Sequence, residues 1–358
     1  MKFGQEVQVN PAKARRYNVD DFAGLLQRYE ADVKVQYQKV NTDLQYCVTV
    51  SRHALKKAFV SWGELERFIT QLANSLYNGA YINDFNNTKM IVANAYRENI
   101  AQIQVIDEPN TEALAKEFVT KARTLFLNFQ LPSTEYNAWA KQEDSYGEPV
   151  KTWTNPEDVV ILIRNDVRSY LDVEVLAQSF NISKSELMAS RILPVDNFDV
   201  YNDEGTKIFD GSNIIGIIAD KSWFRIKEQD RYLDSFYNAN NRTWQYYLNT
   251  TKMFGYSLFS NGVILATAMP TIATTAIEFK EESATVTAGS KIKLHIKTTP
   301  FNSTDTITFS SSSTTYATVT KIDDRTVEVT GASQGSATIT ATNGTVSDTL
   351  TVTVTASA

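Results

Sequence analysis

The sequence predicts an α+β region joined at its C-terminal end to an all-β sandwich. Three observations support this. Residues 61–78 hold apolar side chains at helical spacing, and residues 159–164, VVILIR, read as a strand buried on both faces. Near residue 275 the composition turns Ser/Thr-rich and strictly alternating.

Residues 1–50 come first. KFGQEVQVNP reads as a short strand ended by Pro11, and alternation returns at Val33, Val35 and Tyr37 and again at Leu44, Tyr46 and Val48. Two strands around a polar connection give a long, half-exposed hairpin, too thin to be stable alone. The plain alternative is the first two strands of an ordinary sheet. Ser61 and Glu64 then form an S-x-x-E capping box, with Val60 and Leu65 placed as a hydrophobic staple. Leu65, Phe68, Ile69, Leu72 and Leu76 make the apolar stripe, and Asn78-Gly79 signals a stop. A helix over 61–78 would be roughly 25 Å long.

A second helix is expected from Asn83 or Asp84, burying Met90, Ile91, Ala93 and Tyr96, and a strand over 100–107. Asn110 is placed to cap a third helix with Leu114, Phe118, Ala122, Leu125 and Phe126 on one face. Residues 133–158 read as a partly ordered polar and aromatic excursion. Beyond the 159–164 strand, a helix runs from Asp172 through Phe180, and Ser183 and Glu186 repeat the capping box. A strand covers 214–226, and residues 242–268 read as paired strands around an Asn261-Gly262 turn. In residues 276–358, Ser and Thr make up 32 of 83 positions, and short alternating strands separated by turn signals give the spacing of a β-sandwich. That alternation sets the segment apart from a disordered Ser/Thr-rich stalk.

Composition narrows the function. At 358 residues the chain has room for two or three domains, and 42% hydrophobic with 21% charged residues is globular. The net charge of −6 and the lack of a basic stripe disfavour a grip on nucleic acid phosphates. Cys47 is the single cysteine, so neither an internal disulfide nor a thiolate metal cluster is expected. His53 and His295 read as surface or packing residues. No apolar run is long enough for a transmembrane helix and the N-terminus has no signal-peptide core, so a soluble, cytoplasmically made chain is expected. The phosphate-binding, dinucleotide, nucleophile-elbow and zincin motifs are all missing. The acidic pairs Asp20-Asp21, Asp203-Glu204, Glu281-Glu282 and Asp323-Asp324 read as solvated turns. No catalytic, cofactor-binding or metal-ligating residue is assigned.

The tract LKKAFVSWGELERFITQLANSLYN resembles the opening of the long spine helix in major capsid proteins of phi29-like Bacillus phages. Further matches follow in the same order: LDVEVLAQSFN with a later V-D-F strand, IIGIIADKSWF, and the W-x-YY cluster at Trp244, Tyr246 and Tyr247. ATVTAGSKIKL, SSSSTTYATVT and GASQGSATITATNGTVSDTLTVTV are similar to the bacterial immunoglobulin-like domain, group two. The resemblance implies an HK97-type capsid fold: an extended loop at 1–50, a core at 51–275 with its spine helix at 61–78, and an immunoglobulin-like domain at 276–358. It implies a structural subunit, not an enzyme, that assembles with itself into hexamers and pentamers. The phage head would form in the host cytoplasm, with a scaffolding protein and a portal as partners. DNA would be packaged without specific binding, and no membrane partner is implied. The immunoglobulin-like domain would lie outside, touching host surface or neighbouring capsomers. Family members carry an arm before the extended loop, whereas Met1 here stands almost inside it, so contacts of such an arm are not carried over. Two other readings stay open from the residues alone: a bacterial surface adhesin, suggested by the C-terminal module, and an enzyme of unrecognised type carrying that module.

Overall fold

The computed structural model describes residues 5–9, 34–51, 62–141, 150–168, 192–202 and 205–356. In chain order the elements begin with strands β1 (Gln5–Val9), β2 (Val35–Lys39) and β3 (Thr42–Ser51), then helix α1 (Trp62–Arg97). β4 (Gln102–Val105), α2 (Glu112–Phe129), β5 (Val159–Arg164) and the single turn α3 (Asn165–Arg168) follow. Next come β6 (Ile192–Val195), β7 (Val200–Tyr201), β8 (Lys207–Phe209) and β9 (Ile214–Asp220). The long strands β10 (Phe224–Asn238) and β11 (Thr243–Tyr256) lead to β12 (Gly262–Ala266). The C-terminal strands are β13 (Ala276–Phe279), β14 (Ala284–Thr287), β15 (Lys291–Thr299), β16 (Thr308–Ser311), β17 (Ala317–Lys321), β18 (Thr326–Gly331), β19 (Gly335–Thr342) and β20 (Ser347–Thr355).

Five strands in the order β4-β12-β9-β5-β6 form the central sheet, mixed in direction. Both its faces are covered. On one, α2 lays Phe118, Ala122, Leu125, Phe126 and Phe129 against Ile161, Ile163, Ile215, Ile218 and Val263. On the other, the end of α1 brings Ile91, Val92, Ala95 and Tyr96 against Leu162, Ile214, Ile217, Ile264 and Trp223. This is why β5 reads as continuous apolar sequence: successive side chains enter two different cores. Thr111, one residue after the expected Asn110, caps α2 by accepting from the Leu114 amide.

Helix α1 is the main departure from expectation. It does not stop at Asn78-Gly79 but runs on as one helix of 36 residues, about 54 Å, absorbing the second expected helix. The stop signal loses because that stretch is packed on one side. Leu76 and Ala80 are buried against Leu248, with Tyr46, Val48 and Tyr246 around them. Gly79 faces the Tyr46 ring, whose Cδ1 would lie 3.3 Å from an added Cβ, so its small size serves that contact. A helix-interior glycine costs roughly 0.5–1 kcal/mol, less than the burial of Leu76 and Leu248 contributes at about 1.5–3 kcal/mol each. The staple and cap at 60–61 lie outside the described residues.

The strands of residues 1–50 pair differently from the expected hairpin. β2 pairs antiparallel with β1, whereas β3 pairs over its whole length with β11, giving a three-stranded sheet β10-β11-β3. The extended hairpin is therefore β1–β2, and β3 belongs to a core sheet. Nor is Asn261-Gly262 a hairpin turn: β11 lies in that three-stranded sheet and β12 in the central one. Asn261 is instead a buried junction. Its Nδ2 donates to Thr154 Oγ1 at 3.1 Å and its Oδ1 accepts from Thr152 Oγ1 at 2.5 Å. The expected excursion is ordered on both its flanks around Asn137, whose Nδ2 donates to the Val150 carbonyl at 2.8 Å. The helices expected at 172–186 lie outside the described residues.

The C-terminal sandwich has eight strands, β13–β20, in the alternating region expected to form one. Its sheets run β13-β15-β18-β17 and β14-β20-β19-β16, enclosing Val286, Leu294, Val327, Val329, Ile339, Leu350 and Val352.

Candidate functional site

The site-forming features are surfaces, and the base of the β1–β2 hairpin is the first. Four polar side chains fasten it to the end of β11. Gln36 donates to the Tyr256 carbonyl at 2.9 Å and accepts from the Leu258 amide at 2.9 Å, and Gln38 donates to the same carbonyl at 2.8 Å. Asn41 takes both backbone groups of Phe254, at 2.7 and 3.0 Å. Gln8 reaches Ser257 at 2.8 Å, and Glu6 pairs with Arg225 at the start of β10. The hairpin itself exposes Val9 and Tyr37, the latter 68% accessible.

Beneath this base lies an aromatic junction that explains the D-K-x-W-F tract. Asp220 accepts from the Ser222 amide at 2.8 Å, and Lys221 pairs with Asp158 at 2.6 Å. Trp223, fully buried, stacks on Tyr256 with centroids 5.6 Å apart and meets Phe224 edge-on at 4.8 Å. Burial, with the charge of Glu98 adding, pushes the Tyr256 hydroxyl well above the ordinary tyrosine range.

The sheet β10-β11-β3 leans on α1 through a charged cluster. Lys252, nearly inaccessible, bridges Asp84 on α1 at 2.6 Å and Glu228 on β10 at 3.1 Å, and Arg231 pairs with Glu228 at 2.6 Å. Apolar side chains remain uncovered nearby: Tyr81, Ile82 and Phe85 on α1 and Tyr232, Leu233 and Phe236 on β10, the sheet's edge strand. A polar cleft of about 550 Å³ opens beside them, lined by Asn83, Asn87, Lys89, Asp196 and Asn202 among others. Its charges are spoken for, Lys89 by Asp196 at 2.6 Å and Asp199 by Lys207 at 2.9 Å.

At the junction with the sandwich, Asn302 donates to the Glu98 carbonyl at 2.5 Å. Lys141 donates to the Ala101 carbonyl at 2.6 Å and to Asn99 Oδ1 at 3.1 Å. Burial, with the Arg325 charge adding, lowers its amine to about 8. The two outer faces of the sandwich differ. One is charged, with Lys291 bound to Glu328 at 2.6 Å and His295 to Glu281 at 3.1 Å. On the other sheet, every outward strand position is Ser or Thr, as in the pairs Thr338–Thr351, Thr340–Thr349 and Thr285–Thr353.

The sequence-flagged acidic residues do not converge. Asp323 and Asp324 sit in the β17–β18 turn, accepting from the Arg325 amide at 2.7 Å and pairing with Lys321 at 2.5 Å. Asp20, Asp21, Asp203, Glu204 and His53 lie outside the described residues. Cys47 is exposed on β3. Among the described residues no group of three His, Cys, Asp or Glu is placed to hold a metal ion, and no helix is long and apolar enough to cross a membrane. The amide clamps at Gln36, Gln38 and Asn41 went unread in the sequence, since isolated amides in a polar strand carry no periodic signal.

The fold compares with known shells. It superposes on the capsid structure of Staphylococcus phage Andhra with a TM-score of 0.59 at 14% identity, over 74% of this chain and 81% of that one. A structure described as head fiber and inner core protein gp22 of native bacteriophage P68 superposes with a TM-score of 0.52 at 11% identity, over 75% and 82%. These likenesses define the class: an HK97-like capsid fold. Residues 2–266 match the sequence model of the Phi29-like phage major capsid protein, and the chain belongs to that family. Residues 273–354 match the bacterial Ig-like domain, group 2. The major capsid proteins of Bacillus phages B103 and PZA are each 26% identical, over 80% and 72% of this chain. The chain spans 60% and 54% of the length of those two relatives.

Proposed function

We propose that the chain is a shell-building subunit of a phage head, with a geometric and not an enzymatic role. Family membership supports this, and the β1–β2 pair is the observation that carries it: two strands outside the sheets of the core, fastened to β10 and the end of β11 by polar side chains and exposing Val9 and Tyr37. In this reading the segment that contains them lies on a neighbour and supplies part of the roughly 1,000 Å² or more that a lasting subunit contact requires. The uncovered Tyr232, Leu233 and Phe236 on the β10 edge fit a second contact of the same kind. In this reading the subunits close as hexamers and pentamers around DNA that they do not bind specifically, with a scaffolding protein and a portal as partners. Residues 1–50 then divide by role, β1–β2 as the strap and β3 as part of the core, and the C-terminal module faces outward.

Two deletions test the strap. Removal of residues 1–39 should leave a folded chain that fails to close shells, by light scattering and electron microscopy with a scaffold supplied. Removal of residues 1–51 also strips β3 from β11 and uncovers Leu248, so it should unfold that sheet. Normal shells from the first deletion would refute the strap.

A further inference from the structure

The cleft beside α1 offers groups that suit a polypeptide backbone. Asn86 and Asn87 line it from the helix, and among the described residues neither side-chain amide holds a hydrogen bond. Val200 and Tyr201 also line it; they form β7, which among the described residues pairs only with β8. A two-stranded ribbon is marginal alone and leaves an edge of donors and acceptors open. Amides are already this chain's device for gripping an extended strand. Asn41 takes both backbone groups of Phe254, and Gln36 takes the Tyr256 carbonyl and the Leu258 amide. The charges of the cleft are layered: the Asp196 side chain is 60% exposed, whereas that of its partner Lys89 is 7% exposed. The cleft therefore displays a carboxylate and hides the cation, while the nearby Lys207 is held between Asp199 and Asp210. Two exposed rings stand close by, Tyr201 in the lining and Phe85 against Lys89.

We propose that this cleft takes residues 10–19 of a second copy of the chain, laid as an extended strand along β7, its backbone clamped by Asn86 and Asn87 and a basic side chain set on Asp196. Shape selects a strand: a cleft of about 550 Å³ admits a short segment and not a folded domain. Charge selects the segment. Lys13-Ala14-Arg15-Arg16 is the densest basic run in a chain whose net charge is −6. In an extended strand Lys13, Arg15 and Tyr17 share one side, about 6.8 Å apart. An Arg fork fits a carboxylate, and its plane stacks on an aromatic ring such as Tyr201. Connectivity places the segment: Val9 and Val35 face each other across β1–β2, so the chain between them leaves and returns at one end of that pair. The choice of a second copy rests on the strap reading given above, whereas the recognition chemistry of the cleft does not.

The test uses the full chain, unassembled, and a fluorescein-labelled peptide of residues 10–19. Anisotropy should rise saturably with a Kd of about 1 mM or tighter, and binding should weaken as salt is raised. N86A/N87A should weaken it at least tenfold and Asp196→Asn at least fivefold. Asn74→Ala, an exposed change elsewhere on α1, should bind as the parent does. Matching thermal melts show that the variants fold, and the peptide carrying K13E/R15E/R16E should not bind. The source of the segment is read in particles assembled from equal parts of isotopically heavy and light C47S/R16C/N86C chains. Under mild oxidation, about half of the disulfides between positions 16 and 86 should join a heavy chain to a light one. No saturable binding, full binding by N86A/N87A, binding of the charge-reversed peptide, or disulfides confined to single chains would each overturn the proposal. No peptide binding while the 1–39 deletion still fails to close shells would sink this proposal and leave the strap standing. Peptide binding together with normal shells from that deletion would sink the strap and leave the recognition by the cleft standing.

Discussion

A methyl group added at Gly262 would lie 2.6 Å from the indole of Trp223, which has no room to retreat because it is fully buried between Tyr256 and Phe224. Gly262→Ala should therefore cost about 1–3 kcal/mol by overpacking, read from denaturant unfolding. Gly255→Ala should stay within about 0.5 kcal/mol, because its nearest neighbour across the gap, the Gln38 side-chain amide, lies at 3.6 Å, an ordinary van der Waals distance. Equal costs would mean that Trp223 does not fill the space under β12. Lys141 yields a second test at this scale. Its amine is lowered to about 8 from 10.5, so between those values the unfolded chain binds more protons than the folded one. Stability should thus rise with pH from about 8 to 10.5, by an amount on the order of 1–3 kcal/mol after allowance for its partial exposure. Lys141→Met should flatten that rise in thermal melts. A parent curve that falls through the same window would contradict the stated burial.

Elements were legible wherever one face or both were buried. The sandwich strands could be read because Val, Ile and Leu alternate with Thr, and β5 because its run is uninterrupted. The failures have one cause. Asn78-Gly79 and Asn261-Gly262 look like turn signals locally, yet tertiary contacts decide both: Tyr46 packs over Gly79, and Asn261 is held by Thr152 and Thr154. Strand partners were less legible still, because alternation at Leu44, Tyr46 and Val48 specifies a face and not a neighbour 200 residues away. The hairpin clamps give a test at this scale. Asn41→Ala removes both side-chain bonds to Phe254, each worth about 0.5–1.5 kcal/mol net. Amide exchange at Phe254 should quicken by roughly 10–100-fold, while exchange in β5 stays unchanged. No change at Phe254 would mean that the clamp does not hold the hairpin base.

At the largest scale, the core and the sandwich bury separate apolar clusters, and among the described residues they meet chiefly through the bonds of Asn302 and Asn99. A fragment of residues 273–358 should therefore fold alone with a cooperative β-type melt in circular dichroism. A coil-like spectrum at low temperature would show that the sandwich depends on the core. The pairing of β3 with β11 has a mechanical side as well. The extended hairpin runs into β3 through Val40 and Asn41, so tension drawn along it reaches the amide clamps first. Behind them stand ten paired residues, from Thr42 opposite Lys252 to Ser51 opposite Thr243. The clamps can yield one at a time, whereas a ladder pulled along its own axis must give way as a unit. Pulling on β2 would thus loosen Gln36, Gln38 and Asn41 before the β3–β11 ladder behind α1 loses its register, so the amides act as a mechanical fuse between the β1–β2 pair and the body it is tied to.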